Sequence, residues 1–176
     1  MLLTLALYLG ANGYIFWRML SGLHFLPLGA RVAFGLLFWL AAVGMFLSFG
    51  LRNATMPEVL HRAIYLVGTS WLVFTLYMFV ALLLADVAHS IWPSFHHGVW
   101  WALGVTVVVL VAGYVNYRHP RVEHITIHTE KPIEGGGMRI VALSDVHLGR
   151  GTTRSDLSRY VDMINRERGD VVIIAG

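Results

Sequence analysis

A chain of 176 residues that is 57% hydrophobic and only 13% charged is too apolar for an ordinary soluble domain, in which about a quarter of residues are charged. Its formal net charge of +3 gathers into no basic stripe, which argues against nucleic acid as a partner. With no cysteine, disulfides and thiolate metal sites are excluded.

Charge divides the chain in two. Positions 1–117 hold four basic residues (Arg18, Arg31, Arg52, Arg62) and two acids (Glu58, Asp86). Positions 118–176 hold nine basic and eight acidic residues. A membrane half followed by a water-soluble piece is the reading this supports.

A membrane helix needs about 20 mostly apolar residues, and four uncharged windows meet that need. They run from Met1 to Trp17, closed by Arg18; from Val32 to Leu51, between Arg31 and Arg52; from Ala63 to Ala85, between Arg62 and Asp86; and from Val99 to about Tyr117, closed by Arg118. The first lacks a basic leader and a small-residue cleavage site, so a retained span is expected rather than a signal peptide. Trp17, Trp39, Trp92, Trp100 and Trp101 lie near span ends or within spans, in part as an aromatic belt requires. Four spans place both termini on one side with the Arg52–Arg62 loop. That side carries Arg52, Arg62, Arg118 and Arg121 against Arg18 and Arg31 on the other, which favours a cytoplasmic C-terminal piece. Asn12 is expected to bond a neighbouring helix, and Arg18 to snorkel towards headgroups.

Beyond Arg121 the pattern changes. "VEHITIHTE" alternates and predicts a juxtamembrane strand, and "EKPIEGGG" predicts a turn. Positions 118–137 thus form a strand and a Gly-rich linker. "MRIVALS" is a short β-branched run and predicts a buried strand. Leu157, Tyr160, Val161 and Ile164 recur at helical spacing and predict an amphipathic helix. Thr153 or Ser155 is placed to cap its start and Gly169 to close it, with Arg154, Asp156, Arg159, Asp162, Arg166 and Glu167 on the wet face. "DVVIIAG" predicts a second buried strand. Strand, helix, strand is a parallel βαβ unit with a right-handed crossover. The fold class is therefore an α-helical membrane bundle of four transmembrane helices followed by an incomplete α/β start. Val171 to Ala175 are expected to present a sticky apolar edge.

Chemistry gathers at "ALSDVHLG", Ala142 to Gly149. Sites in open α/β sheets form at the carboxyl ends of strands, where Asp145 and His147 fall. Residues two apart in extended backbone point the same way, so one carboxylate oxygen and one imidazole nitrogen converge. Such a pair suits Mn, Fe or Zn. Gly149 permits a tight turn beside it. Arg150 follows, within reach of a phosphate oxygen, although a solvated loop arginine is the simpler account. His124 and His128 lie about 13 Å apart by strand rise, too far to share a metal. His89, His96 and His97 cluster with Asp86 between the third and fourth windows; a polar loop beside Trp92 and Pro93 is favoured there over a metal site.

Strand, "SDVHLG", helix and "DVVIIAG" together resemble the opening of calcineurin-like metallophosphoesterases, over about Met138 to Gly176. The four-span leader ending in "GYVNYRHPRVEHITI" resembles that of bacterial membrane-bound members. The resemblance implies that positions 138–176 begin a phosphoesterase domain with two divalent or trivalent metal ions (Mn, Fe or Zn), the first held by Asp145 and His147. Two-metal catalysis clamps the phosphate and lowers the pKa of a bound water. The family's next ligand is the aspartate of a Gly-Asp pair, whose glycine Gly176 matches. Gly169-Asp170 precedes the strand and is excluded from the site. Carrying only part of the ligand set, the chain is expected to be the N-terminal part of a longer enzyme and inactive by itself. Its expected partners are membrane lipid and a phosphate-ester substrate, with a lipid-linked ester suggested by the anchor, in a bacterial inner membrane. The alternative is a non-enzymatic multi-pass transport or assembly protein with a vestigial tail.

Overall fold

The computed structural model describes residues 2–51, 53–146 and 152–175. The chain falls into two compact units, Met1–Pro120 and Arg121–Gly176.

The first unit is helical. Its elements are α1 (Leu2–Gly22), α2 (Leu28–Gly50), α3 (Glu58–Ile91) and α4 (Gly98–Arg118). Short loops join them, so consecutive helices run up and down. Three of them, α2, α3 and α4, are long and apolar enough to cross a membrane. In α1 the polar side chains of Asn12 and Arg18 interrupt the apolar run.

The helices outrun the uncharged windows for a physical reason. α1 continues past Trp17, and α3 past Ala85, because Arg18 and Asp86 satisfy each other as an ion pair. Arg18 therefore does not simply snorkel: its guanidinium is held by a carboxylate on another helix. α3, with 34 residues, is about 51 Å long at 1.5 Å per residue, well beyond the roughly 30 Å of hydrocarbon.

α3 is the central helix and packs against each of the other three. The buried core is Ile15, Phe38, Met78, Leu82 and Ala102. Rings fill the space around it: Phe38 meets Trp71 edge to face at 4.8 Å between centroids, and Phe16 stacks on Phe34. Trp39 packs against this core rather than standing in a belt. Trp17, Trp92 and Trp101 are exposed, as belt residues should be. α2 and α3 approach most closely at Gly44 and Gly68. A Cβ on Gly68 would lie 2.3 Å from the Met45 backbone nitrogen. Helices in lipid associate through such close packing and through polar bonds, because lipid is as apolar as their side chains. His61 in α3 holds the carbonyl of Leu51 at the end of α2, at 2.8 Å.

The second unit contains β1 (Ile140–Ser144), α5 (Arg154–Glu167) and β2 (Val171–Ala175). β1 and β2 pair in parallel, with Ile140 opposite Val171 and Ser144 opposite Ala175. The juxtamembrane strand expected over Val122–Glu130 does not form. No strand of the described residues pairs with it, so its alternation has no ladder to join, and Ile125 and Ile127 are 81% and 84% exposed. The Gly-rich turn is present as a short 3-10 turn, Glu134–Gly136, in which Gly135 takes a φ of 81°.

α5 begins with a capping box. Thr153 accepts the Asp156 N–H, and the Asp156 carboxylate accepts the Thr153 N–H at 3.0 Å. Asp156 is thereby buried rather than part of the wet face. The helix closes on Arg168 in the left-handed conformation, not on Gly169. Gly169 serves a close approach instead: a Cβ there would lie 2.6 Å from a methyl of Val141. Val171, Val172, Ile173 and Ile174 all remain exposed.

Candidate metal centre at the strand end and the polar cluster of the bundle

Parallel pairing of β1 with β2 brings their carboxyl ends side by side. Asp145 directly follows β1, and its backbone N–H donates to the Ala175 carbonyl at 3.0 Å. The ladder thus extends one bond past Ser144. Asp145 then leaves the strand direction with a φ of 55°. A non-glycine residue in this left-handed region is uncommon, and aspartate is among those that tolerate it. Such outliers gather at functional sites. The backbone turns away there and leaves the carboxylate at the strand end.

His147, Arg150 and Gly176 lie outside the described residues. Among the described residues, no group of three or more His, Asp or Glu stands close enough to hold a metal ion. Asp145 is therefore one described donor, too few by itself for a catalytic metal, which takes three protein ligands or more.

The Gly169-Asp170 pair sits at the opposite end of the strands. The Asp170 carboxylate accepts the Arg139 N–H at 2.8 Å, and the Asp170 N–H donates to the Arg139 carbonyl. Arg139 reaches on to the Glu167 carbonyl at 3.0 Å. This clamp sets strand entry, with Arg139 six residues or about 20 Å from Asp145 by strand rise. His124 stands 3.8 Å from the Glu167 carboxylate and shares no ligand group with His128 among the described residues.

The helical unit holds two polar sets. In the first, Asn12 is fully buried. Its Oδ1 accepts the Trp71 indole N–H at 2.9 Å and the Thr75 hydroxyl at 3.3 Å, while its Nδ2 donates to the Tyr8 carbonyl. The Tyr8 hydroxyl donates to the Ala42 carbonyl at 2.7 Å. Asn12 thus bonds a neighbouring helix as its sequence position suggests, and Tyr8 adds a tie to α2. In the second set, Asp86 accepts from Arg18 and from the Tyr14 hydroxyl. His89 donates from Nδ1 to the Phe95 carbonyl at 2.8 Å and lies 6.2 Å from His96 between ring centroids. No metal-holding group forms there among the described residues. Tyr8, Tyr14, Trp71 and Thr75 drew no notice as sequence. Tyr8 and Asn12 are one helical turn apart, as are Tyr14 and Arg18, and that spacing was the available signal.

Two curated relatives are similar to the chain. One is 46% identical over 77 residues, "Transmembrane protein with metallophosphoesterase domain" of Danio rerio, and covers 43% of this chain. The other bears the same name in Bos taurus and is 33% identical over 78 residues, again 43% of this chain. The aligned stretches make up 18% and 17% of those proteins, so the chain spans about a fifth of the length of the relatives it matches. No family model matches the chain, and no solved structure matches it. Over somewhat less than half its length, then, a chain with three membrane-competent helices is similar to membrane proteins named for a metallophosphoesterase domain.

Proposed function

We infer that this chain is the membrane-anchoring and opening part of a metal-dependent phosphoesterase of calcineurin-like type. The observation that supports this most is the position of Asp145: left-handed backbone at the carboxyl end of β1, hydrogen-bonded to the end of β2. An Asp-x-His loop at that point is where a parallel sheet places its chemistry. Asp145 and His147 are the proposed ligands of a first metal, and Arg150 the proposed phosphate contact. In a dinuclear centre the ions supply Lewis acidity and an activated water. The hydrolysis itself is proposed for the whole protein, since the matched stretches are only 18% and 17% of the relatives' length.

In this reading α1 is a fourth span, held into the bundle by bonds from Asn12 and Arg18 to α3. The arginine balance then puts the C-terminal unit on the cytoplasmic side. A bacterial inner-membrane home rests on the likeness of the leader. An anchored site favours a lipid-linked or membrane-associated phosphoester as substrate. The Arg18–Asp86–Tyr14 set gives the transport or assembly alternative its one point of support, since charges within apolar helices are functional candidates.

The test is hydrolysis of a chromogenic phosphate ester and of a phosphate-headed lipid by the protein purified from its source membrane. Turnover should vanish with chelator, return with Mn2+ and fall at least about a hundredfold in Asp145→Asn, more than a ligand's outer partner costs. Metal-independent turnover, or none with any of Mn2+, Fe2+ and Zn2+, would reject the reading. Conductance through residues 1–117 alone would favour the alternative.

A further inference from the structure

A cleft of about 330 Å3 lies where α1 and α3 end and α4 begins. Its wall carries Arg18 from α1, His24 from the loop after it, His89 from α3, and His96 and His97 ahead of α4. One guanidinium and four imidazoles in one cleft is a dense set of cationic or cationisable donors. All five lie within the helical unit, at the end of the bundle where α4 begins.

We propose that this cleft binds a tetrahedral phosphate group, carried by a lipid headgroup or by a free phosphate compound. Three independent features converge. First, the local carboxylate is already engaged. Asp86 binds Arg18 through one oxygen and Tyr14 through the other, and it is not among the residues lining the cleft. Arg18 is thereby fixed in place while a fork of five N–H donors exceeds what one carboxylate oxygen uses. Second, His89 donates from Nδ1 to the Phe95 carbonyl. Among the described residues nothing bonds its Nε2, which can meet a ligand. Third, Gly98 and Val99 also line the cleft. They open α4, whose first N–H groups have no intrahelical acceptor, and His97 supplies no side-chain cap. A Cβ on Gly98 would press within 3.2 Å of Ala85, so the backbone there is closely seated against α3. Donors from the ends of three helices suit an anion with several acceptor oxygens. Exposed Trp92 and Trp101 lie at the same end of the bundle, the place of aromatic residues at headgroup depth, where lipid phosphates are found.

The site is independent of Asp145 and of any phosphoester hydrolysis, so the two readings fail separately. The test uses the full chain in nanodiscs of neutral lipid at pH 6, titrated with inorganic phosphate, with the histidine side-chain NMR signals as readout. A parallel arm replaces a tenth of the lipid with phosphatidic acid. Saturable shifts of the His89, His96 and His97 signals with inorganic phosphate support the site and show that the free anion suffices. Shifts only with phosphatidic acid support it with a lipid headgroup as the source. Because Arg18→Gln alone strands Asp86, the paired variant Arg18→Gln with Asp86→Asn is used, alongside His96→Gln with His97→Gln on exposed side chains. Each should weaken binding by about tenfold, the loss expected for a charge-assisted hydrogen bond. No shift in either arm, or binding unchanged in both variants, overturns the proposal.

Discussion

The side-chain oxygen of Asn12 accepts the indole N–H of Trp71 at 2.9 Å, and with it α1 is bonded to α3 inside a largely apolar bundle. Thr75 shares the same oxygen. In lipid there is no hydrophobic drive between helices, so such bonds and the packing around them hold α1 in place. Asn12→Leu leaves the buried Thr75 hydroxyl and the half-buried Trp71 indole N–H without this acceptor and should destabilise the helical unit. A double-mutant cycle of Asn12→Ala with Trp71→Phe should return a coupling of about 0.6 kcal/mol, with about 1.7 as the ceiling seen for such bonds in membranes. Unfolding in mixed detergent measures it, and a coupling near zero would detach the hydrogen bond from the stability of the bundle.

Gly44 and Gly68 face each other where α2 crosses α3, but they are not equivalent. A Cβ on Gly68 would fall 2.3 Å from the Met45 nitrogen, whereas one on Gly44 would meet Gly68 at 3.4 Å, an ordinary contact. Gly68→Ala must push the helices apart and should cost about 1 to 3 kcal/mol, the usual range for overpacking. Gly44→Ala should be close to neutral, helped by the better helix propensity of alanine. Thermal unfolding of both variants in one detergent decides it: equal midpoints would mean that this crossing is not tight.

Much of this architecture could be read from the chain before any coordinates. The apolar windows located α2, α3 and α4, and α4 ends within a residue of its expected bounds. Periodicity and β-branched runs gave β1, α5 and β2. The errors share one cause: a local pattern cannot see its partner. Arg18 and Asp86 looked like span ends because each seemed an uncompensated charge, and their pairing across α1 and α3 lets both helices continue. The "VEHITIHTE" alternation looked like a strand, and no described strand pairs with it. Asp156 looked solvated, and the capping box buries it. Of the residues expected in a metal loop, Asp145 directly follows β1, while His147 and Arg150 fall outside the described residues.

That capping box is the local device that starts α5. Thr153 and Asp156 satisfy each other's backbone N–H groups, and Arg159 follows at 3.2 Å from the Asp156 carboxylate. Thr153→Val keeps the shape and removes the acceptor, and should cost about 1 kcal/mol. Thr153→Ser should be tolerated. Hydrogen exchange of the first-turn amides of α5 reports the loss directly. Protection unchanged in Thr153→Val would show that the helix start is held by other contacts.

Asp145 carries the last prediction, in which backbone and chemistry separate. Its φ of 55° is accessible to Asp and Asn but strained for a β-branched residue. Asp145→Asn should therefore cost less stability than a β-branched replacement, because the left-handed turn and the N–H bond to the Ala175 carbonyl are both kept. Asp145→Val should cost about 1 kcal/mol or more, because a side chain branched at Cβ crowds the left-handed backbone that Asp and Asn tolerate. Metal affinity should sort differently. Both variants lack the carboxylate, so both should lose Mn2+ binding, measured by calorimetry on the protein purified from its membrane. If Asp145→Asn loses stability together with metal binding, the aspartate is chiefly an architectural residue at the strand end. If it loses metal alone, the carboxylate serves as a ligand there, and the left-handed backbone is the means by which β1 presents it.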